Sequence, residues 1–379
     1  MFFCALLGIL LSGETLIRSF GHLDQDGNFW ARSFQCYPYR IPLKTWHEKI
    51  NQYQQSKNTS ILYDPLLGWA PRPGSQSQDG YYLYNEDGIR ADRCDFVVSK
   101  TPAPGVLRIV IVGDSFTRGD DVSFEDTWGY LLEKNLKKAG INAEVLNFGV
   151  GGYGVDQALL RWKKTGSLYD PQIIILGLPL ENILRNGNLV RPFYAPSPMF
   201  PFFKPRFILE KGVLKLVDTP TPTPDKIMSI VEKFDTWEYS KYEYWYDRNK
   251  YQDRLFLNSR LISFCYSLFQ ETFFKKQLHP KEDLELLSLA IISAFGNELR
   301  SQGKIFDVLF LPSKENLNSP SIPFLENLQK TETVISPRSR FLEEAGKSGA
   351  RTLIPQHYSA KANKIVADAM TEFILKGRA

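Results

Sequence analysis

Cysteine is scarce and unpatterned, with four residues at Cys4, Cys36, Cys94 and Cys265. None forms a CxxC pair, and no Cys/His cluster has the spacing of a zinc site. Cys36 and Cys94 both precede the main domain. They read either as a disulfide in an exported protein or as free small hydrophobes. No dense basic block stands out among the 46 Lys and Arg, which face 42 Asp and Glu for a net charge of +4. Nucleic acid is therefore not the expected partner. No apolar run reaches the ~20 residues a membrane span needs. The P-loop Lys-Ser/Thr and the GxGxxG fingerprint are both missing, and no cofactor is expected. Internal repeats are absent as well.

What is present is globular. Apolar residues make up 43% and charged residues 23% of 379, enough for one large domain with additions or for two domains. Residues 1–19 open with the apolar stretch Phe2 to Leu11, followed by Glu14 and Arg18. The stretch shows no polar face, unlike a surface helix. It reads as a signal or anchor segment whose start is clipped or misassigned; the alternative is a buried N-terminal helix. Residues 20–104 form an irregular, β-poor preface rich in turn signals, ending in the linker-like Thr101 to Gly105.

From residue 105 to 379 strands and helices alternate. The expected strands are Leu107–Val112, Ala143–Phe148, Ile173–Leu178, Ile305–Leu311 and a short fifth at Thr352–Ile354. The first is a continuous β-branched run of the kind buried on both faces of a parallel sheet. Helices are expected over Phe124–Ala139, Val155–Lys164, Leu284–Arg300, Ile322–Lys330 and Ser359–Leu375. This alternation predicts an α/β fold with a mainly parallel five-stranded sheet covered by helices on both faces. An aromatic-rich insertion at about 187–280 interrupts it. Its Tyr239, Tyr242, Tyr244, Trp245, Tyr246 and Tyr251 read either as a platform for sugar rings or as the insertion's own core.

Ligands of open α/β sheets bind beyond the carboxyl ends of the strands. Four segments fall there: Gly113-Asp114-Ser115, the loop Asn147 to Gly154, the loop Gly177 to Asn186, and Pro355 to Ser359 with His357. Ser115 follows a strand and can present its hydroxyl at the sheet edge, or it can simply stand in a turn that caps a helix. It is not in a G-x-S-x-G elbow, because Thr117 occupies the last glycine's place. Gly149, Gly151 and Gly152 allow close approach of backbone to a ligand. Asn182 offers an amide donor for an oxyanion. His357 is one of four histidines, with His22, His47 and His279.

The combination Ser, Gly, Asn, His in this order resembles the SGNH (GDSL-type) hydrolase superfamily. The resembling segments are Gly113-Asp114-Ser115-Phe116, Asn147-Phe148-Gly149-Val150-Gly151-Gly152, Glu181-Asn182, and His357-Tyr358-Ser359 followed by Asn363. They span about Val106 to Lys376, apart from the insertion. The preface is similar to that of anchored or exported bacterial members at Asp64 to Trp69 and Asn85 to Arg90. The resemblance implies a flavodoxin-like three-layer α/β/α sandwich. It also implies ester hydrolysis or acyl transfer, often on acetylated carbohydrate, at an extracytoplasmic (periplasmic or membrane-anchored) location, with membrane association through the N-terminal segment. Carried over by residue, Ser115 is the nucleophile and His357 its general base. The N–H groups of Ser115 and Gly152 join the Asn182 amide as the oxyanion hole. The family's Asp three residues before the histidine is here Ile354, with no acid nearer upstream than Glu344, and Ile183 replaces the Asp that usually follows the asparagine. The expectation is therefore a Ser-His dyad whose imidazole is oriented by a backbone carbonyl. The expected substrate is an acylated, chiefly O-acetylated, carbohydrate or another small ester. The alternatives are an O-acyltransferase on the same scaffold and a catalytically weak carbohydrate-binding or assembly protein.

Overall fold

The computed structural model describes residues 2–56, 59–195, 201–217, 221–273 and 283–377. The chain divides into two compact units. One comprises residues 56–187, 204–221 and 284–379. The other comprises residues 1–55, 188–203 and 222–283. These units follow other bounds than the expected N-terminal preface and single domain with one insertion. Most of the insertion joins the N-terminal residues, while its hairpin Arg206–Glu210/Val213–Val217 belongs to the larger unit.

The larger unit is built on seven strands: β1 Leu83–Tyr84, β2 Arg90–Ala91, β3 Leu107–Val112, β4 Ala143–Asn147, β5 Ile173–Leu178, β6 Ile305–Phe310 and β7 Thr333–Ile335. Their spatial order is β7-β6-β5-β3-β4-β2-β1. The strands from β3 to β7 run parallel, whereas β2 pairs antiparallel with β4 and β1 with β2. Every residue of β3 and β5 is buried, as a central strand covered on both faces requires. One face packs α1 Trp128–Lys138 and α2 Ala360–Lys376 onto Ile109, Ile111, Ile175 and Leu309. The other carries α3 Val155–Lys164 and α4 Leu284–Ser301, where Phe295 packs between Trp162 and Phe306. This is a three-layer α/β/α sandwich.

Two expectations are corrected here. Thr352–Ile354 is not the fifth parallel strand: Ala350–Leu353 is a helical turn, and Leu353 and Ile354 are buried against the α1/α2 face. A run of three residues cannot distinguish strand from helix. The fifth parallel strand is β7, in register with β6 through Val308 and Val334. The preface is also less irregular than expected. It supplies β1 and β2 and the hairpin Ile61–Asp64/Gly68–Pro71, whose Asp64 carboxylate accepts from the Leu66 and Leu67 N–H groups.

In the second unit the helix Phe2–Phe20 packs against the helix Arg260–Phe273. Glu14 accepts from the N–H groups of Arg260 and Leu261 and from the Ser259 hydroxyl. Among the described residues no helix is long and apolar enough to cross a membrane. Tyr246 stacks on Tyr251 with ring centroids 4.6 Å apart, and both pack against Phe193. Tyr239 contacts Trp237, and Trp245 contacts Tyr194 and Tyr244. These rings pack on one another, and all six of the insertion's expected platform residues stay half-buried. Cys36 and Cys94 are both free thiols. His279 lies outside the described residues.

One core residue is out of character. Asp307 sits within β6, level with Ile175 and Thr333, and burial pushes its carboxyl up to about 6. The unfolded chain ionises first as pH rises, so stability falls between roughly pH 4 and 6 and is level above. We expect Asp307→Asn to remove this loss. From pH 4 to pH 7 the variant should gain about 2 kcal/mol over the wild type, read by denaturant unfolding. A pH-independent difference would show that Asp307 does not titrate in the fold.

Candidate active site

β3 ends on Gly113, at the switch point where β4 lies on one side and β5 on the other; such a crevice is where α/β sheets bind ligands. Gly113 has φ +152°, and a Cβ there would lie 2.3 Å from Thr117 Oγ1 and 2.7 Å from the Gly177 carbonyl. Only glycine passes. Asp114 then caps a single helical turn, Ser115–Arg118, its carboxylate accepting from the Phe116 N–H at 3.0 Å. Ser115 is the first residue of that turn, so its own N–H has no intrahelical acceptor. Gly119 ends the turn at φ +81°, and the N–H groups of Gly119 and Asp120 both donate to the Ser115 carbonyl. The chain is thereby folded back so that Asp120 and Asp121 return toward the serine.

His357 arrives from the opposite end of the sequence. It lies two residues before Ser359, which caps α2 by accepting from the Ala362 N–H. Asn363 fixes this approach: its side chain donates to the Tyr358 carbonyl and accepts from the Trp128 N–H. The ring of His357 packs edge-on against Phe116. Its Nε2 is 3.0 Å from Ser115 Oγ and its Nδ1 2.8 Å from Asp121 Oδ2. A carboxylate can only accept, so Nδ1 carries the proton. Nε2 is then left as an acceptor for the serine hydroxyl. Ser115 is 6% exposed, whereas Asp121 is half exposed.

This corrects the expected dyad. The imidazole is not left to a backbone carbonyl, and the carboxylate absent at position 354 is supplied by the loop that follows the serine. The local signal was the pair of acids in Arg118-Gly119-Asp120-Asp121. The family spacing pointed three residues before the histidine, whereas this carboxylate lies 236 residues before it. Asp120 is different: both its oxygens accept from the buried Arg118 guanidinium, and it stands 4.0 Å from His357 Nε2.

The remaining two segments meet at one guanidinium. Arg185 Nη1 donates to Asp114 Oδ2 at 2.8 Å, to the Tyr153 carbonyl at 3.1 Å and to Asn182 Oδ1 at 3.0 Å. It therefore ties together the residue before Ser115, the glycine turn and Asn182. Burial pushes the Asp114 carboxyl up, while the Arg185 charge pulls it down. Asn182 is 1% exposed, and with its oxygen engaged its Nδ2 is buried without a partner. A buried orphan donor is costly unless something comes to accept from it. Gly152 stands in a turn at φ +79°, and the turn is held to the end of β3 by the Val150 N–H donating to the Gly113 carbonyl. Asn147 accepts from the Gly149 N–H and donates to the Thr117 carbonyl at 2.9 Å.

Ser115 and His357 open onto a cavity of about 780 Å³. Pro179, Leu180, Leu184 and Ile354 alternate there with Glu181, Lys314, Glu315 and Gln356. No group of three or more metal-ligating side chains occurs among the described residues.

No family model and no curated protein matches this sequence. Solved structures to which this chain is similar include the acetyl xylan esterase AlAXEase, at 12% identity and a TM-score of 0.39 over 70% of this chain and 99% of that one. A catalytic mutant of Axe2, an acetylxylan esterase from Geobacillus stearothermophilus, matches at 11% identity and a TM-score of 0.37 over 70% and 92%. A member of the lipolytic protein G-D-S-L family from Veillonella parvula matches at 12% identity and a TM-score of 0.34 over 70% and 96%.

Proposed function

We propose that the chain is a serine ester hydrolase of the SGNH kind, acting through Ser115, His357 and Asp121. The observation that carries this reading is the imidazole engaged at both nitrogens, by Ser115 Oγ and by Asp121. A serine hydroxyl is a weak nucleophile until a base takes its proton. Here Nε2 accepts that proton as Oγ attacks the ester carbonyl, and the Asp121 carboxylate stabilises the imidazolium that forms. The tetrahedral oxyanion then finds the orphan Asn182 amide, with the N–H groups of Ser115 and Gly152 as further donors. Collapse expels the alcohol, protonated by His357. Water then attacks the acyl-serine by the same route and releases the acid.

The cavity lining supports the substrate class. Carboxylates, a lysine and amides interspersed among small apolar surfaces suit a polar, polyhydroxylated ester such as an O-acetylated polysaccharide or glycoconjugate more than a long acyl chain. We expect a fluorophosphonate probe to label the wild type and not Ser115→Ala. Asn182→Ala should hydrolyse p-nitrophenyl acetate ~10²–10³-fold more slowly with little change in KM. Labelling that persists in Ser115→Ala would place the nucleophile elsewhere. A folded protein that neither labels nor hydrolyses would instead be a binding protein. Efficient transfer of the acyl group to an added sugar, outrunning hydrolysis, would make it an acyltransferase.

We further propose an extracytoplasmic site of action at a membrane surface. The exposed Leu7, Ile9, Leu10 and Leu11 on the N-terminal helix support this, since a short apolar helix binds a bilayer interface without crossing it. The full chain should float with phospholipid vesicles, and Leu10→Lys with Leu11→Lys should not. A wild-type chain that stays out of the vesicle fraction would contradict the reading.

A further inference from the structure

Asp121 is an awkward residue on which to rest a catalytic imidazole. It is half exposed, belongs to no regular element and adopts φ +67°, a left-handed conformation that a non-glycine residue holds only under constraint. An exposed carboxylate on a free loop would sample many positions, and orientation of the imidazole would be lost with it. Something must hold the loop.

The constraint comes from the preface. Tyr81 to Ala91 form a hairpin, β1–β2, closed by a turn in which Asn85 Oδ1 accepts from the Asp87 and Ile89 N–H groups. From it Arg90, 2% exposed, reaches into the loop that carries the acids. Its Nη1 donates to the carbonyls of Arg118 and Gly119, and its Nη2 donates to the Val122 carbonyl at 2.9 Å. The Asp121 N–H donates to the Tyr82 hydroxyl at 3.3 Å. Asp120 is held through Arg118, whose Nη1 also donates to the Tyr84 hydroxyl at 3.2 Å. The Tyr82 ring lies against both cations, with guanidinium carbons 5.0 Å (Arg90) and 4.4 Å (Arg118) from its centroid. Each residue from Arg118 to Val122 is thus tied, either through its backbone or through its side chain.

The chemistry requires arginine. Carbonyls pointing in from successive residues of a turned loop are met by a planar fork of divergent N–H groups, which a lysine ammonium cannot reproduce. A buried guanidinium carries a desolvation cost that apolar packing would not incur. Here it is compensated by carbonyl dipoles on the acid-bearing loop. The hairpin is itself anchored to the site: Arg90 pairs with Asn147 in the sheet, and Arg161 donates to the carbonyls of Gly88 and Phe148.

We propose that this hairpin is a positioning element for the active site, in which Arg90 and Tyr82 hold Asp121 where it can orient His357. The proposal rests on the reading of Asp121 as the acid of the triad. Its consequence is that residues 81–91, which make no hydrogen bond to the serine or the imidazole, are part of what makes the enzyme active.

The test is a double-mutant comparison on the full chain, with p-nitrophenyl acetate as substrate and fluorophosphonate labelling as a second readout. Asp121→Asn should lower kcat by about 10²–10⁴-fold, the range in which a misoriented imidazole leaves residual catalysis. Arg90→Lys should lower kcat at least about tenfold and change the pH–rate profile in the same sense as Asp121→Asn, with KM little altered. Added to Asp121→Asn, it should lower the rate no further, because the position it protects is already without function. Tyr82→Phe keeps the ring and loses only the hydroxyl. It should fold normally and show a smaller fall that is likewise absent in the Asp121→Asn background. If Asp121→Asn lowers kcat but Arg90→Lys and Tyr82→Phe leave it intact, or lower it equally in both backgrounds, the positioning role is overturned and the triad stands. If Asp121→Asn leaves kcat unchanged while Ser115→Ala abolishes it, the acid assignment fails, and the positioning role with it.

Discussion

One imidazole held at both nitrogens is the interaction on which the rest of this structure depends. His357 comes from the start of the last helix, Ser115 from the end of the first parallel strand, and Asp121 from the loop six residues further on. None of these positions is dictated by local propensity alone. The carboxylate fixes which ring nitrogen bears the proton, and in the proposed mechanism the other nitrogen acts as the base and the hydroxyl as the nucleophile. Displacing any of the three leaves residues that read as an exposed acid, a helix-flanking histidine and a turn serine.

The surroundings make sense as supports for that geometry. Gly113 is required because Thr117 and the Gly177 carbonyl leave no room for a side chain. Arg185 gathers Asp114, the glycine turn and Asn182 at one buried charge, and Arg118 with Asp120 forms a second. Lys204 with Asp156 is a third buried pair in the same unit. Buried pairs of this kind contribute little net stability, yet removing one partner typically costs about 3–5 kcal/mol. They therefore make the site brittle and well defined. In the proposed mechanism the partnerless Nδ2 of Asn182 is a donor that meets its acceptor while substrate reacts.

Much of this was legible in the sequence where a physical signal was local. The β-branched run from Leu107 to Val112 announced a strand buried on both faces, and the chain order of Ser115, Gly152, Asn182 and His357 pointed to one sheet edge. Asp121 was not legible as the partner of the His357 Nδ1. That contact arises from a reversal at Gly119, a left-handed backbone at Asp121 and a span of 236 residues. Thr352–Ile354 misled because three residues carry no period, while β7 was hidden behind Lys330 and Glu332. The preface looked irregular because its strands are only two to four residues long.

The central claim is that Asp121, and not Asp120, accepts the His357 Nδ1 proton. Proton NMR of the ring N–H region tests it most directly, because only four histidines contribute. The account predicts a far-downfield resonance that is lost in His357→Gln and in Asp121→Asn and retained in Asp120→Asn. A resonance that survives Asp121→Asn and disappears in Asp120→Asn would contradict it.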